Sequence, residues 1–333
     1  MEVIINMESY NESRLMTPEE KEFYRQTVYS IYEQLKSTMD LSLLENIIVT
    51  ENYIEELFEF QRNNGLSEFV TDNEYGQGAA QVVTVIDETK NEKYYILLKK
   101  ELVLALIPDE LMSNLQSTFK EEDFNQLKHL KNMSINLLYH ELSHVHEYNF
   151  RNNIKWIKQL EGVSIESQYL SLALSLWQEY FACRHSAATH EYLEDDVEEI
   201  KSTTTKIEIR IKKERKKYNC REVSLDDFVK DFNYYIGFIL KKMASEHGSL
   251  YWFNESRVDL INAIEQLLKD TNIGAVWCEL GECLDVLYNT FPNWENKEVF
   301  SYAVSVIKKY IELFEIYIKN TPQGIYYDIP VRL

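Results

Sequence analysis

Two histidines and a glutamate are the residues of this chain best suited to do chemistry. Positions 140–144 read His140, Glu141, Leu142, Ser143, His144, the pattern H-E-x-x-H. On a helix, residues four apart stand one turn above the other on one face. His140 and His144 can therefore present two imidazole nitrogens to a single ion. Zn2+ takes neutral imidazoles, and the water it holds ionises near neutral pH. Glu141 sits beside the pair, placed to take that proton as general base. The spacing points to metal-assisted hydrolysis, with zinc as cofactor, His140 and His144 as ligands and Glu141 as the catalytic residue.

This chemistry requires a helix at the motif. Ile135, Leu138, Leu142 and Val145 form an apolar stripe at helical spacing, and neither Gly nor Pro interrupts Asn132 to Asn152. The plain alternative is a chance match on a helix surface. Two histidines also leave the site incomplete, because a catalytic zinc has three protein ligands and an open position. A further helix is expected from about Ser164, nearly apolar through Leu170, Leu172, Leu174, Leu176 and Trp177. It runs into Glu179. Acids are rarely buried unless paired or bound to metal, so Glu179 is the candidate third ligand. The competing reading is a glutamate at the helix edge, salt-bridged to Arg184 or solvated. Glu161 and Glu166 are rivals near the helix start, where acids commonly serve as caps. Glu147 shares the face of His140 and His144 but lies too far along the axis, so a supporting or surface role is expected.

Other elements follow in chain order. Thr17, Pro18, Glu19 and Glu20 form a helix start. That helix is expected to run to about Met39 and to pack through Phe23, Val28, Ile31 and Leu35. Ile47–Thr50 reads as a strand and Glu51–Asn63 as a helix stopped near Gly65. Gly76-Gln77-Gly78 reads as a turn, and Gln81–Ile86 and Tyr94–Leu98 as a hairpin. A three-strand sheet within about 45–105 is thus expected. Leu102–Leu106 fits strand or helix. Glu121–Lys131 reads as a short helix leading into the motif. After about 195 the chain should be almost wholly helical: a charged, exposed helix from Glu194 to Lys217, one from Ser224, and others near 254–271, 275–290 and 296–319. The tail Tyr326–Pro330 reads as extended. The fold class is α+β, mainly α, with a small antiparallel or mixed N-terminal sheet packed on the active-site helix pair. Three regions are expected: a helical segment 1–45, a core 46–193 and a helical region 194–333.

Charge and composition narrow the function. A net charge of −20 argues against nucleic acid as a partner, which demands a basic surface. No signal peptide or membrane-length apolar run is read. Cys183, Cys220, Cys278 and Cys283 contain no C-x-x-C pair and fit reduced thiols in a cytoplasmic protein.

HELSH, the later helix with Glu179 and the preceding small sheet together resemble a gluzincin-type zincin metallopeptidase. Glu179 followed by Ala182 is similar to the ligand helix of ImmA/IrrE-type peptidases, over roughly residues 47–190. Ser143 stands where that family usually has Gly. The resemblance implies zinc held by His140, His144 and Glu179, Glu141 as base, and a protein or peptide substrate. It also implies that an edge strand, Gln81–Ile86 or Tyr94–Leu98, pairs with the substrate backbone. A transition-state stabiliser is implied as well. Candidates are His247 and Tyr251, read as lying in a loop after a helix, with His185 and His190 following the ligand helix; the plain alternative for each is a surface or structural role. The alternative is a helical interaction protein with a structural or inactive zinc site.

Overall fold

The computed structural model describes residues 1–11, 14–70, 72–73, 76–157, 164–189, 194–322 and 324–330. The chain divides into two compact units, Met1–Asn149 with Ala188–Glu191, and Phe150–Ala187 with Tyr192–Leu333. The molecule is mainly helical, with a small mixed sheet near its N-terminus and a helical C-terminal region.

In the first unit, four strands make the sheet: β1 (Glu2–Asn6), β2 (Leu44–Thr50), β3 (Ala80–Ile86) and β4 (Glu92–Lys99). Their order is β1-β2-β4-β3; the first two contacts are parallel and the β3–β4 hairpin is antiparallel. The sheet has one strand more than expected, because the N-terminal segment is not only helical. Val3 and Ile5 of β1 are buried. Alternation sends Ile47 and Val49 of β2, with Tyr94, Ile96 and Leu98 of β4, to one face, and Ile48 and Leu97 to the other.

Helix α1 (Pro18–Leu35) begins with a full capping box, Thr17 and Glu20 each bonding the other's backbone amide. It ends four residues short of Met39. Its buried face is Tyr24, Val28 and Tyr32, while Phe23 is exposed and Ile31 and Leu35 are only partly covered. Val28 is buried as read, while the other buried positions, Tyr24 and Tyr32, lie one along from Phe23 and Ile31. Helix α2 (Tyr53–Asn63) covers the opposite face of the sheet through Tyr53 and Leu57. It stops at Gly65, whose φ of 70° is the left-handed geometry glycine tolerates. Gly76–Gln77 forms a two-residue strand paired with Asp72–Asn73. Lys100–Leu104 is the short helix α3, followed by α4 (Asp109–Gln116). The expected short helix before the motif is continuous with it: α5 runs unbroken from Glu121 to Arg151. Leu138, Leu142 and Val145 of α5 join the same core as α1 and the sheet.

The second unit is a helical assembly: α6 (Ile165–Ser186), α7 (Glu194–Asn219), α8 (Leu225–Ser249), α9 (Arg257–Leu268), α10 (Trp277–Thr290) and α11 (Ser301–Glu312). Helices α6 and α8 pack so tightly that a Cβ on Gly248 would lie 2.6 Å from the Tyr180 carbonyl oxygen. Helix α7 is not a solvated rod. Ile200, Ile207 and Ile211 are buried, as are Thr203, Thr204, Glu208 and Glu214. Strands are not confined to 45–105 either. Beyond β1, Tyr317–Thr321 (β5) and Gly324–Asp328 (β6) form an antiparallel hairpin. The last helix therefore ends at Glu312, and the tail from Tyr326 is paired, not merely extended. Among the described residues, no helix is long and apolar enough to cross a membrane.

Candidate metal centre

Helix α5 presents the motif in a fixed frame. The Leu138, Leu142 and Val145 stripe seats it on the sheet side. Its C-terminal half is tied to the loop after α1: Asn149 Nδ2 donates to the Asp40 carbonyl at 2.9 Å, and the Asp40 amide donates to His146 Nδ1 at 2.8 Å. His144 stacks beside Tyr148 with an interplanar angle of 22°, and Tyr148 packs 5.2 Å from Tyr94 of β4. Ser143 is fully buried and its hydroxyl donates to the Tyr139 carbonyl at 2.8 Å. A serine is thus accommodated there without an orphaned hydroxyl.

The two imidazoles meet edge to face, centroids 4.6 Å apart, with their Nε2 atoms separated by 3.0 Å. Two lone pairs cannot face each other at that distance, so a proton or a cation must lie between them. Two nitrogens at about 2.05 Å from a tetrahedral ion stand roughly 3.3–3.4 Å apart. The rings need open by only a few tenths of an ångström to accept one. His140, His144 and Glu179 each offer a ligand atom, all within 4.8 Å of one another, a group that can hold a metal ion. Two imidazoles and a carboxylate suit zinc and other divalent first-row metals alike.

Glu141 is 6% exposed and His144 8%. Glu147 is fully buried, which removes the surface role considered for it. The rival ligands resolve differently. Glu166, in the first turn of α6, accepts from Asn320 Nδ2 at 2.7 and 2.8 Å. Glu161 lies outside the described residues, as does His190. Arg184, the cation weighed as a partner for Glu179, bonds Asp285 Oδ1 at 3.2 Å instead.

His247 lies inside α8, not in a loop. Its ring is fully buried, stacked 3.8 Å from Trp277 and bonded through Nε2 to the Trp277 carbonyl at 3.0 Å. Burial, with the nearby Arg257 charge, pushes its pKa down to about 4, so it stays neutral. Tyr251 follows α8 in a 3-10 turn and donates to Asp285 Oδ1 at 2.5 Å, its ring lying between the Arg184 and Arg257 guanidiniums. His185 stacks on Phe181 and shares a hydrogen bond with the Tyr288 hydroxyl at 3.2 Å.

One residue near the motif had no signature in the sequence. Tyr53, the first residue of α2, is 5% exposed, and its hydroxyl is buried with no hydrogen-bond partner among the described residues. Burial, with the Glu141 charge adding to it, pushes its phenol well above the usual range. A tyrosine opening a helix looks like any core aromatic until its neighbours are known. No protein-family model, curated protein or solved structure matches this chain.

Proposed function

We propose that the chain is a zinc-dependent metalloendopeptidase of the gluzincin type, acting on a selective protein substrate in the cytoplasm. The observation that carries this reading is the pair of Nε2 atoms 3.0 Å apart, with the buried Glu141 between them in sequence. His140, His144 and Glu179 are the ligands in this reading. Zinc, when bound, acidifies the water it holds and polarises the scissile carbonyl. Glu141 removes the proton of the attacking water and returns it to the departing amine. Of the two strands weighed for substrate pairing, β4 is hydrogen-bonded on both sides, so β3 is the edge to which an extended peptide would add.

Two measurements test the proposal. Purified protein should carry close to one zinc per chain. Cells expressing the wild type should show new protein termini that are missing with Glu141→Gln, which keeps the metal and loses at least about a hundredfold in hydrolysis. Identical terminal profiles from the two would defeat it. The deep burial of Glu141 also suits a second reading, a helical interaction protein whose zinc is structural or inactive. A closed fourth protein ligand in place of water would favour that reading.

A further inference from the structure

Beside α1, the first unit carries a cleft of about 620 Å³, within the size range of small-molecule sites. One wall is the α1 face with Phe23, Ser30 and Ile31; the other is formed by Leu106, Ile107 and Pro108 with Ile135 of α5. Leu106 is buried in the N-terminal core, and Ile31 and Ile135 pack against that core. The floor of the cleft is therefore apolar. Among the described residues that line it, one is a cation. Lys131, one turn before Ile135 on α5, has its ammonium bonded to the Asp109 carboxylate. The pair is lopsided: the Lys131 side chain is 11% exposed and the Asp109 side chain 97%. A covered ammonium calls for a partner covered with it, whereas a carboxylate standing in solvent contributes little to such a pair. Asp109 can thus be displaced at small cost by a carboxylate that brings apolar surface with it.

We infer that this cleft binds a small amphiphilic monocarboxylate, its apolar tail on Ile31, Leu106 and Ile135 and its carboxylate in place of Asp109 on the Lys131 ammonium. A lone ammonium is a point charge matched by one negative charge, where a phosphate dianion favours the arginine fork. The net charge of −20 further disfavours a multiply charged anion. The inference is independent of the peptidase reading. The probe is monomeric dodecanoate, with dodecanol as its uncharged counterpart, titrated calorimetrically. Dodecanoate should bind at one per chain and at least about tenfold more tightly than dodecanol. Lys131→Met keeps the stem and should erase that preference. Asp109→Asn removes the competing carboxylate and should tighten dodecanoate binding by up to about fivefold, while Glu110→Gln beside it leaves binding within about twofold. Ser30→Trp, at an exposed position on the cleft wall, should abolish binding of both probes. No saturable binding, equal affinity for the two probes, a preference kept in Lys131→Met, weaker binding in Asp109→Asn or undiminished binding in Ser30→Trp overturns the inference. So does a dimer in sedimentation that Ser30→Trp disperses, which gives the cleft to a second copy of the chain.

Discussion

Gly281 of α10 faces the His247 ring so closely that a Cβ would lie 2.6 Å from Cε1 and 2.7 Å from Nδ1. The ring cannot retreat, being stacked on Trp277 and bonded to its carbonyl. Alanine normally gains about 1 kcal/mol over glycine inside a helix, but overpacking costs about 1–3 kcal/mol. Here the clash wins, and Gly281→Ala should destabilise. Gly237 of α8 has only Leu172 Cδ1 nearby, at 3.9 Å. Gly237→Ala should therefore stabilise by up to about 1 kcal/mol. Urea unfolding of the two variants should give shifts of opposite sign.

Metal affinity should depend on which acid is removed. Glu179→Ala deletes a member of the His140, His144, Glu179 group and should weaken zinc binding at least about tenfold, the lower end seen even for groups that only support a ligand. Glu166→Ala should leave affinity unchanged, because its carboxylate is bonded to Asn320. Competition with a chromogenic chelator reads both. Equal affinities for Glu179→Ala and the wild type would remove Glu179 from the ligand set.

Two glutamates should give the acid range opposite slopes. Burial alone would raise Glu51, yet the Lys100 ammonium, the Glu8 and Ser9 amides and the Ser9 hydroxyl hold it down to about 2, from an ordinary 4.5. Its folded value is depressed, so its contribution is complete above about pH 4.5 and is lost as pH falls through about 2. Glu208 is raised by burial, against the pull of the Asn272 and Ile273 amides that bond it at 2.9 Å. Its contribution is complete below about 4.5 and shrinks as pH rises through its folded value. Unfolding measured from pH 2 to 8 should show the deficit of Glu51→Gln vanishing on acidification. The stability of Glu208→Gln relative to the wild type should improve as pH rises from 4 to 7.

Asp285 ties four elements together. It accepts from the Tyr180 and Tyr251 hydroxyls and pairs with Arg184 at 3.2 Å and Arg257 at 3.1 Å. Removing it leaves both guanidiniums, which lie over the Tyr251 ring, without that counter-charge. Asp285→Ala should cost toward the lower end of the about 3–5 kcal/mol known for breaking buried pairs, since its side chain is 28% exposed. Breaking the open Lys308–Glu312 pair, exposed at both ends, should change stability by less than about 1 kcal/mol. Thermal denaturation distinguishes the two.

What the sequence made legible was local. The motif helix, the helix start at Thr17, the β3–β4 hairpin and the helix start at Ser224 are written in residues only a few positions apart, and each formed where expected. What it hid was set at long range. Strand β1 is only five residues, and its strand character depends on parallel pairing with β2 some forty positions later. His247 reads as a loop residue but lies in α8, and the neighbouring Gly248 is glycine because α6 presses against it. The α7 isoleucines were masked by the lysines and glutamates between them. In α1 the two candidate stripes differ by one position, and only the sheet decides that Tyr24 faces inward and Phe23 outward. The candidate centre was legible as residue types, while the Tyr53 hydroxyl became visible only once α2 and α5 were placed.

The bond from the Asp40 amide to His146 joins residues 106 positions apart, and that from Asn149 to Asp40 spans 109. The apolar face shared by β1, β2 and β4 is closed by α1 and by the C-terminal half of α5. Until residues 134–149 exist, that face lacks Leu138, Leu142 and Val145. A nascent chain halted at Lys120 therefore displays a half-covered sheet and should be sticky, prone to aggregation or chaperone capture. The segment that carries the histidines is also the one that finishes the N-terminal core, so the candidate metal-binding motif and the solubility of the first unit are inherited together.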